Sequence, residues 1–123
     1  MKETNLNKNS ENTAKTIMKE LPISTKHAIE LCSLLRYKTV EEAKKILEGV
    51  IIDNKPIKYN RFTAGAGHKS NIGSGKIPIK ASEHILKAIK SVESNALTKG
   101  LSKNLKITHL LANKASRPFH YGR

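Results

Sequence analysis

The chain has 123 residues, with 23 Lys and Arg against 10 Asp and Glu, a net charge of +13 and an isoelectric point near 10.0. That length holds one modest domain with its own core. The single cysteine, Cys32, excludes an internal disulfide and a metal site of several cysteines, and no apolar run approaches the roughly 20 residues of a membrane span.

The charge is unevenly placed. Residues 1–53 carry 9 basic and 8 acidic side chains, whereas residues 54–123 carry 14 basic and only 2 acidic ones, Glu83 and Glu93. Self-repulsion in such a half costs stability, so the excess makes sense if a polyanion neutralises it, with nucleic acid the default. The five aromatic residues, Tyr37, Tyr59, Phe62, Phe119 and Tyr121, are too few for a platform that stacks a run of bases. Phosphate- and shape-directed binding through Lys, Arg and backbone amides is the mode this composition favours. The opening MKETNLNKNSENTAK has neither a hydrophobic signal region nor an Arg-rich amphipathic pattern, so a soluble, non-secreted protein is expected.

In chain order, residues 1–12 are polar, Asn-rich and aperiodic, and read as a disordered tail. TAKTIMKEL follows, with Thr13, Ile17 and Leu21 on one face of a weak strand that Pro22 ends. A first helix is predicted after a Ser24 or Thr25 cap, its stripe being Ala28, Leu31, Cys32 and Leu35. Thr39 and Glu42 form a capping-box pattern for a second helix with Val40, Ala43, Leu47 and Val50 on one side, and so short a turn predicts a helical hairpin. A long basic Gly-rich loop spans 53–78. The third helix starts near Pro78, buries Ile85, Ala88, Ile89, Val92 and Ala96, shows Lys80, His84 and Lys87 on its other side, and stops at Lys99-Gly100. Leu105–Ala112 alternates as a strand, with His109 on its apolar side, and NKASRPFHYGR closes the chain without an acid.

These elements predict an α+β fold: three helices packed on a small antiparallel sheet, with a basic, extended C-terminal arm. The expected organisation is a tail over 1–12, a compact nucleic-acid-binding domain over 13–112 and a basic extension over 113–123.

The stretch NRFTAGAGHKSNIGSGKIPIK raises the question of a nucleotide-phosphate loop. A phosphate-cradling P-loop needs Gly, four residues, then Gly-Lys-Ser/Thr. Before Gly75-Lys76 the first glycine is replaced by Ser70, and after it the hydroxyl residue is replaced by Ile77. A dinucleotide fingerprint from Gly65 and Gly67 finds Ser70 where its third glycine belongs. The histidines, at 27, 68, 84, 109 and 120, lack metal-ligand spacing. The carboxylates fall mostly on the first two helices and read as a solvated face, and Cys32 reads as a small core residue among leucines. No catalytic constellation, metal, cofactor or small-molecule substrate is indicated. A loop carrying Lys55, Lys58, Arg61, Lys69 and Lys76 among glycines suits instead a long sugar–phosphate backbone.

Taken in order, ENTAKTIMKELPISTKHAIELC, TVEEAKKILEGVI, PIKYNRFTAGAGHKS, GKIPIKAS, SNALTKGL and the segment ending HLLANKA resemble the family of large ribosomal subunit protein twenty-two, in its archaeal and eukaryotic form (eukaryotic number seventeen). The resemblance covers roughly residues 11–123. It implies a structural, non-enzymatic, cytoplasmic protein of the ribosome. The implied partners are ribosomal RNA and neighbouring large-subunit proteins, with no membrane. It also implies a long β-hairpin that helps line the polypeptide exit tunnel, and so contact with nascent polypeptide. The resemblance thus makes residues 13–112 an RNA-binding domain and the extension over 113–123 a hairpin-like arm carrying the hairpin tip. Carried onto this chain, the RNA-facing residues are Lys26, His27, Arg61, His68, Lys69, Lys80 and Lys114, and the loop reading adds Lys55, Lys58, Gly65, Gly67 and Lys76. The tip would be Arg117, Pro118, Phe119, Tyr121, Gly122 and Arg123. The outgoing arm between Lys114 and Pro118 is shorter than the family's, and the sequence stops at Arg123 where the family continues into a returning arm and a final strand.

Two other classes are distinguishable. A non-ribosomal helix-hairpin DNA or RNA binder would present a basic recognition helix, but the third helix offers no Asn, Gln or Arg on its basic row for base edges. A nucleotide-dependent transferase would bind magnesium–ATP specifically.

Overall fold

The computed structural model describes residues 12–119, 121 and 122. Nearly all of the expected N-terminal tail, together with His120 and Arg123, therefore lies outside the described residues. The element order is α1 (Thr25–Leu35), α2 (Val40–Asp53), β1 (Ile57–Lys58), β2 (His68–Lys69), β3 (Gly73–Lys76) and α3 (Ile79–Thr98). The fold is α+β, three helices with a three-stranded antiparallel sheet in the order β1-β3-β2.

The helices follow from their apolar periods. Ala28, Leu31, Cys32 and Leu35 of α1, Val40, Ala43, Leu47 and Val50 of α2, and Ile85, Ile89 and Ala96 of α3 are all buried, as a stripe at i, i+3, i+4 and i+7 requires. All but Ala28 and Ala96 join Ile57, Tyr59 and Ala81 in one core. Thr39 caps α2, its hydroxyl accepting the Glu42 amide at 3.3 Å. Ser24 occupies the cap of α1 but makes no side-chain capping bond. Pro78 sits at the N-cap of α3, and Gly100 follows its end in the left-handed region, φ +78°. The expected hairpin of the first two helices is not the main packing. The long helix α3 packs extensively against α2 and also against α1, and α1 and α2 touch each other less. Lys44 of α2 and Glu93 of α3 form an ion pair across their interface.

The sheet lies where a structureless loop is predicted. Ile57 pairs with Lys76 and Lys58 with Gly75, while His68 pairs with Ser74 and Lys69 with Gly73. The β2–β3 hairpin turns through Asn71 at φ 71° and Gly73 at φ 80°, the left-handed conformations a tight turn demands. At Gly75 the constraint is close approach. A Cβ there would lie 2.5 Å from the Ile57 carbonyl oxygen, so this glycine serves strand contact within the sheet rather than an outside ligand.

Two predicted strands are corrected. Residues 13–21 form no ladder; the segment lies along α3, with the Asn95 amide donating to the Lys15 carbonyl at 3.1 Å and Ser91 and Thr16 hydroxyls 3.4 Å apart. Ile17 faces solvent. Leu105–Ala112 is extended but carries one isolated bridge, Thr39 with Lys106. Its partner is the turn between α1 and α2, where Tyr37 donates to the Ile107 carbonyl, Ile107 to the Lys38 carbonyl and Val40 to the Leu105 carbonyl. That turn is only a few residues long, so a ladder cannot propagate. Beyond it the Arg36 guanidinium donates to the Leu110 carbonyl at 3.0 Å, the alternation slips, and His109 is exposed rather than on an apolar side.

Candidate nucleic-acid interface

The interface is built outward from one end of α1. The Glu30 carboxylate, expected to belong to a solvated face, is instead 3% exposed. It accepts backbone N–H bonds from Asn60 at 3.1 Å, Arg61 at 2.7 Å and Phe62 at 2.9 Å. Three successive amides on one anion form a nest, and it fixes the start of the basic loop to the helix. Burial pushes the Glu30 carboxyl up, but the bonds from Phe62, Asn60 and Arg61 and the Arg61 charge outweigh it and hold the group below its ordinary value.

Next to the nest, His27 Nδ1 lies 2.6 Å from the Tyr59 hydroxyl. Burial, then the nearby Glu30 charge, pushes the Tyr59 phenol up to about 12. Burial, then the charge of Lys76, lowers the His27 pKa. A protonated phenol and a neutral imidazole share this bond; in the tautomer in which Tyr59 donates to His27 Nδ1, Nε2 carries the proton and is a donor. Phe62 completes the group. The Lys26 ammonium lies 5.8 Å from its ring centroid and the Arg61 guanidinium 5.1 Å, both within cation–π range.

The two helix N-termini beside this group are electrostatically open. The first turn of α2 carries Glu41 and Glu42, but those of α1 and α3 carry no acid. Ser24 and His27 from α1 and Ile79, Lys80 and Ala81 from α3 line a shared cleft of about 420 Å³. Unpaired amides at a helix start attract anions, and here two starts face one cleft with Lys80 at its wall. A second cleft, on the other flank of Ser24, is lined by Lys26, Phe62 and Lys114.

The predicted residues therefore divide. Lys26, His27, Arg61, Lys76, Lys80 and Lys114 gather around the start of α1. Gly65, Gly67, His68 and Lys69 lie on the adjoining loop and hairpin, where Gly65 and Gly67 have open space around their α-carbons. Lys58 is exposed on β1. Lys55 lies apart: its stem covers Gly49 and its amide donates to the Gly49 carbonyl at the end of α2. None of these cations pairs with a described carboxylate. Arg117, Pro118, Phe119, Tyr121 and Gly122 are exposed, and the preceding Ser116 donates to Glu20 at 2.9 Å.

Sequence reasoning missed Glu30, Tyr59 and Phe62 as parts of this region. The alternation of Ile57 and Tyr59 in IKYNRF was a usable signal for the phenol; nothing in the sequence distinguished Glu30 from the surface acids. Cys32 is inert core, its thiol pushed up to about 11 by burial against the opposing effect of Arg36. Among the described residues no three His, Cys, Asp or Glu cluster as a metal site, and no helix is long and apolar enough to cross a membrane.

The family model for ribosomal protein L22p/L17e matches residues 16–121. Large ribosomal subunit protein uL22 of Ignicoccus hospitalis is 40% identical over 114 residues, covering 87% of this chain and 72% of that protein. The protein of the same name from Archaeoglobus fulgidus is 39% identical over 105 residues, with 82% and 68% covered. That from Methanocaldococcus jannaschii is 38% identical over 110 residues, with 86% and 70% covered.

Proposed function

The chain belongs to the ribosomal protein L22p/L17e family, structural and non-enzymatic proteins of the large ribosomal subunit, and on that premise we propose how its residues meet ribosomal RNA. The end of the molecule around the start of α1 is the RNA-facing surface. Phosphates of one RNA segment enter the cleft between the starts of α1 and α3, held by Lys80, the Nε2 proton of His27 and the open helix amides. The loop and hairpin extend the contact through Lys58, Arg61, Gly65, Gly67, His68, Lys69 and Lys76, with Lys26 and Lys114 continuing it around α1. Lys55 contributes field at the rim. The observation that carries this reading is the convergence of two acid-free helix starts with cations that form no ion pair with a described carboxylate.

Residues 13–112 act as the body, with neighbouring ribosomal proteins on its remaining surface. Residues 113–123 act as a basic extension whose tip, Arg117 to Arg123, reaches the polypeptide exit tunnel and meets nascent chain. Full exposure of Phe119 and Tyr121 supports a tip that acts outside the body.

The test is salt dependence of binding to large-subunit RNA fragments. If six to eight phosphates are neutralised, log K falls with log salt at a slope of about −4 to −7. Replacing Lys69, Lys76 and Lys80 together by Gln is expected to make that slope shallower by about 2 to 3. A slope near zero, or one unmoved by the triple substitution, would refute the surface.

A further inference from the structure

The cleft beside Phe62 is chemically different from the phosphate cleft on the other flank of Ser24. It has a volume of about 690 Å³, within the usual size range of small-ligand sites. Its floor is apolar: Phe62, Ile29 of α1 and Ala112 of the extended segment. Its rim carries the cations Lys26 and Lys114 and the carboxamide of Asn113. We propose that this cleft takes one unpaired, unstacked nucleotide of RNA, its base against Phe62 and its phosphates on Lys26 and Lys114. The proposal rests on the RNA-facing reading above and specifies a site within it.

Three features commit the cleft to that occupant. Sugar–phosphate backbone alone gains nothing from a floor of Phe, Ile and Ala, and an apolar protein side chain gains nothing from two lysines at the rim. A nucleotide uses both, joining a flat π-surface and an edge of donors and acceptors to an anion. Phe62 is also held in advance. Its amide sits on Glu30 at 2.9 Å, and the Arg61 guanidinium lies 5.1 Å from its ring while Arg61 itself does not line the cleft. Lys26, exposed and 5.8 Å from the ring centroid, can move to a phosphate as the base arrives. Asn113 offers a donor and an acceptor to a base edge. Finally, the cleft holds one aromatic ring, which limits stacking to one base and reconciles base recognition with the low aromatic content.

The experiment uses the full chain and two synthetic RNA hairpins of equal length, one fully paired and one with a single bulged 2-aminopurine. Affinities are measured at about 0.1 M salt, where the Debye length is roughly 10 Å. The bulged hairpin is expected to bind about tenfold tighter or more, the scale of stacking one base on an aromatic ring, and its 2-aminopurine fluorescence to change on binding as the base leaves the RNA stack. Phe62→Leu keeps an apolar side chain and the backbone bond to Glu30 but removes the π-face. It should lose both the preference and the fluorescence change. Equal affinity of the unmodified chain for the two hairpins would overturn the proposal and leave the cleft to an apolar side chain of a neighbouring protein. A preference that survives Phe62→Leu would overturn it as well. If neither hairpin binds, the RNA-facing reading itself fails, and that outcome is distinct from equal binding.

Discussion

The carboxylate of Glu30 and the amide of Phe62, separated by 32 residues in the chain, meet at 2.9 Å. With the amides of Asn60 and Arg61 on the same carboxylate, this pair makes the basic loop an extension of α1 at its base. A buried carboxylate whose partners are main-chain donors cannot be removed cheaply, because each orphaned amide costs about 1–3 kcal/mol. Glu30→Ala is therefore expected to destabilise the protein by about 3 kcal/mol or more, and to open residues 60–62 to protease. Glu30→Gln keeps one acceptor oxygen and should fall between. The same group fixes a pH response. Its folded pKa lies below its ordinary value, so the unfolded chain binds the proton first as acid is added. The stabilisation is complete above the ordinary carboxyl value and is lost as pH falls through the folded one; Glu30→Gln should flatten that part of the acid-unfolding curve.

Glycines in one loop should respond differently to the same change. Gly75→Ala puts a Cβ 2.5 Å from the Ile57 carbonyl oxygen and 2.9 Å from Ile72 Cδ1, and overpacking of this kind costs about 1–3 kcal/mol. Thermal melting should show a loss of several degrees. Gly67, with nothing within 4 Å of its would-be Cβ, should accept Ala with no measurable change in melting. Gly67→Asp should leave the fold intact and weaken RNA binding by placing an anion on the hairpin.

His27 lines the cleft proposed to take phosphate. Burial and the Lys76 charge hold its pKa below 6.5, so the stability it contributes is present above 6.5 and is lost as pH falls through the folded value. Lys76→Gln should raise the His27 pKa in an NMR titration. Bound RNA should raise it further, because phosphate favours the imidazolium. An unchanged His27 titration with saturating RNA would remove that residue from the contact surface.

On α3, two buried positions should diverge. Ile89→Asp places an unpaired charge in the core and should abolish the cooperative melting transition. The hydroxyl of Ser82 is fully buried without a partner among the described residues. Ser82→Ala removes that unsatisfied group and should leave stability unchanged or raise it by about 1 kcal/mol.

The helices were legible because each carries a full apolar stripe, such as Ile85, Ile89 and Ala96, whose 3.6-residue period has no other explanation. The strands were not. They are two to four residues long, too short for alternation to register, and the pairing of β2 with β3 is set by the turn at Asn71 and Gly73 rather than by side chains. Leu105–Ala112 misled for the opposite reason: its alternation records half-burial of an extended chain, which does not require a ladder. The excess of cations was legible by counting, since folding gives so many no partner. Glu30 was not, because an acid beside an apolar stripe looks the same from the sequence whether it meets water or three amides.

The hydrogen bonds of the clasp between Tyr37–Val40 and Leu105–Ile107 join main-chain groups, which every residue except proline possesses. The Arg36 guanidinium on the Leu110 carbonyl and the Ser116–Glu20 bond hold the following stretch. Side chains beyond Ser116 can be exchanged without disturbing any of these bonds, so the bearing of the arm and the chemistry at its end are free to evolve separately.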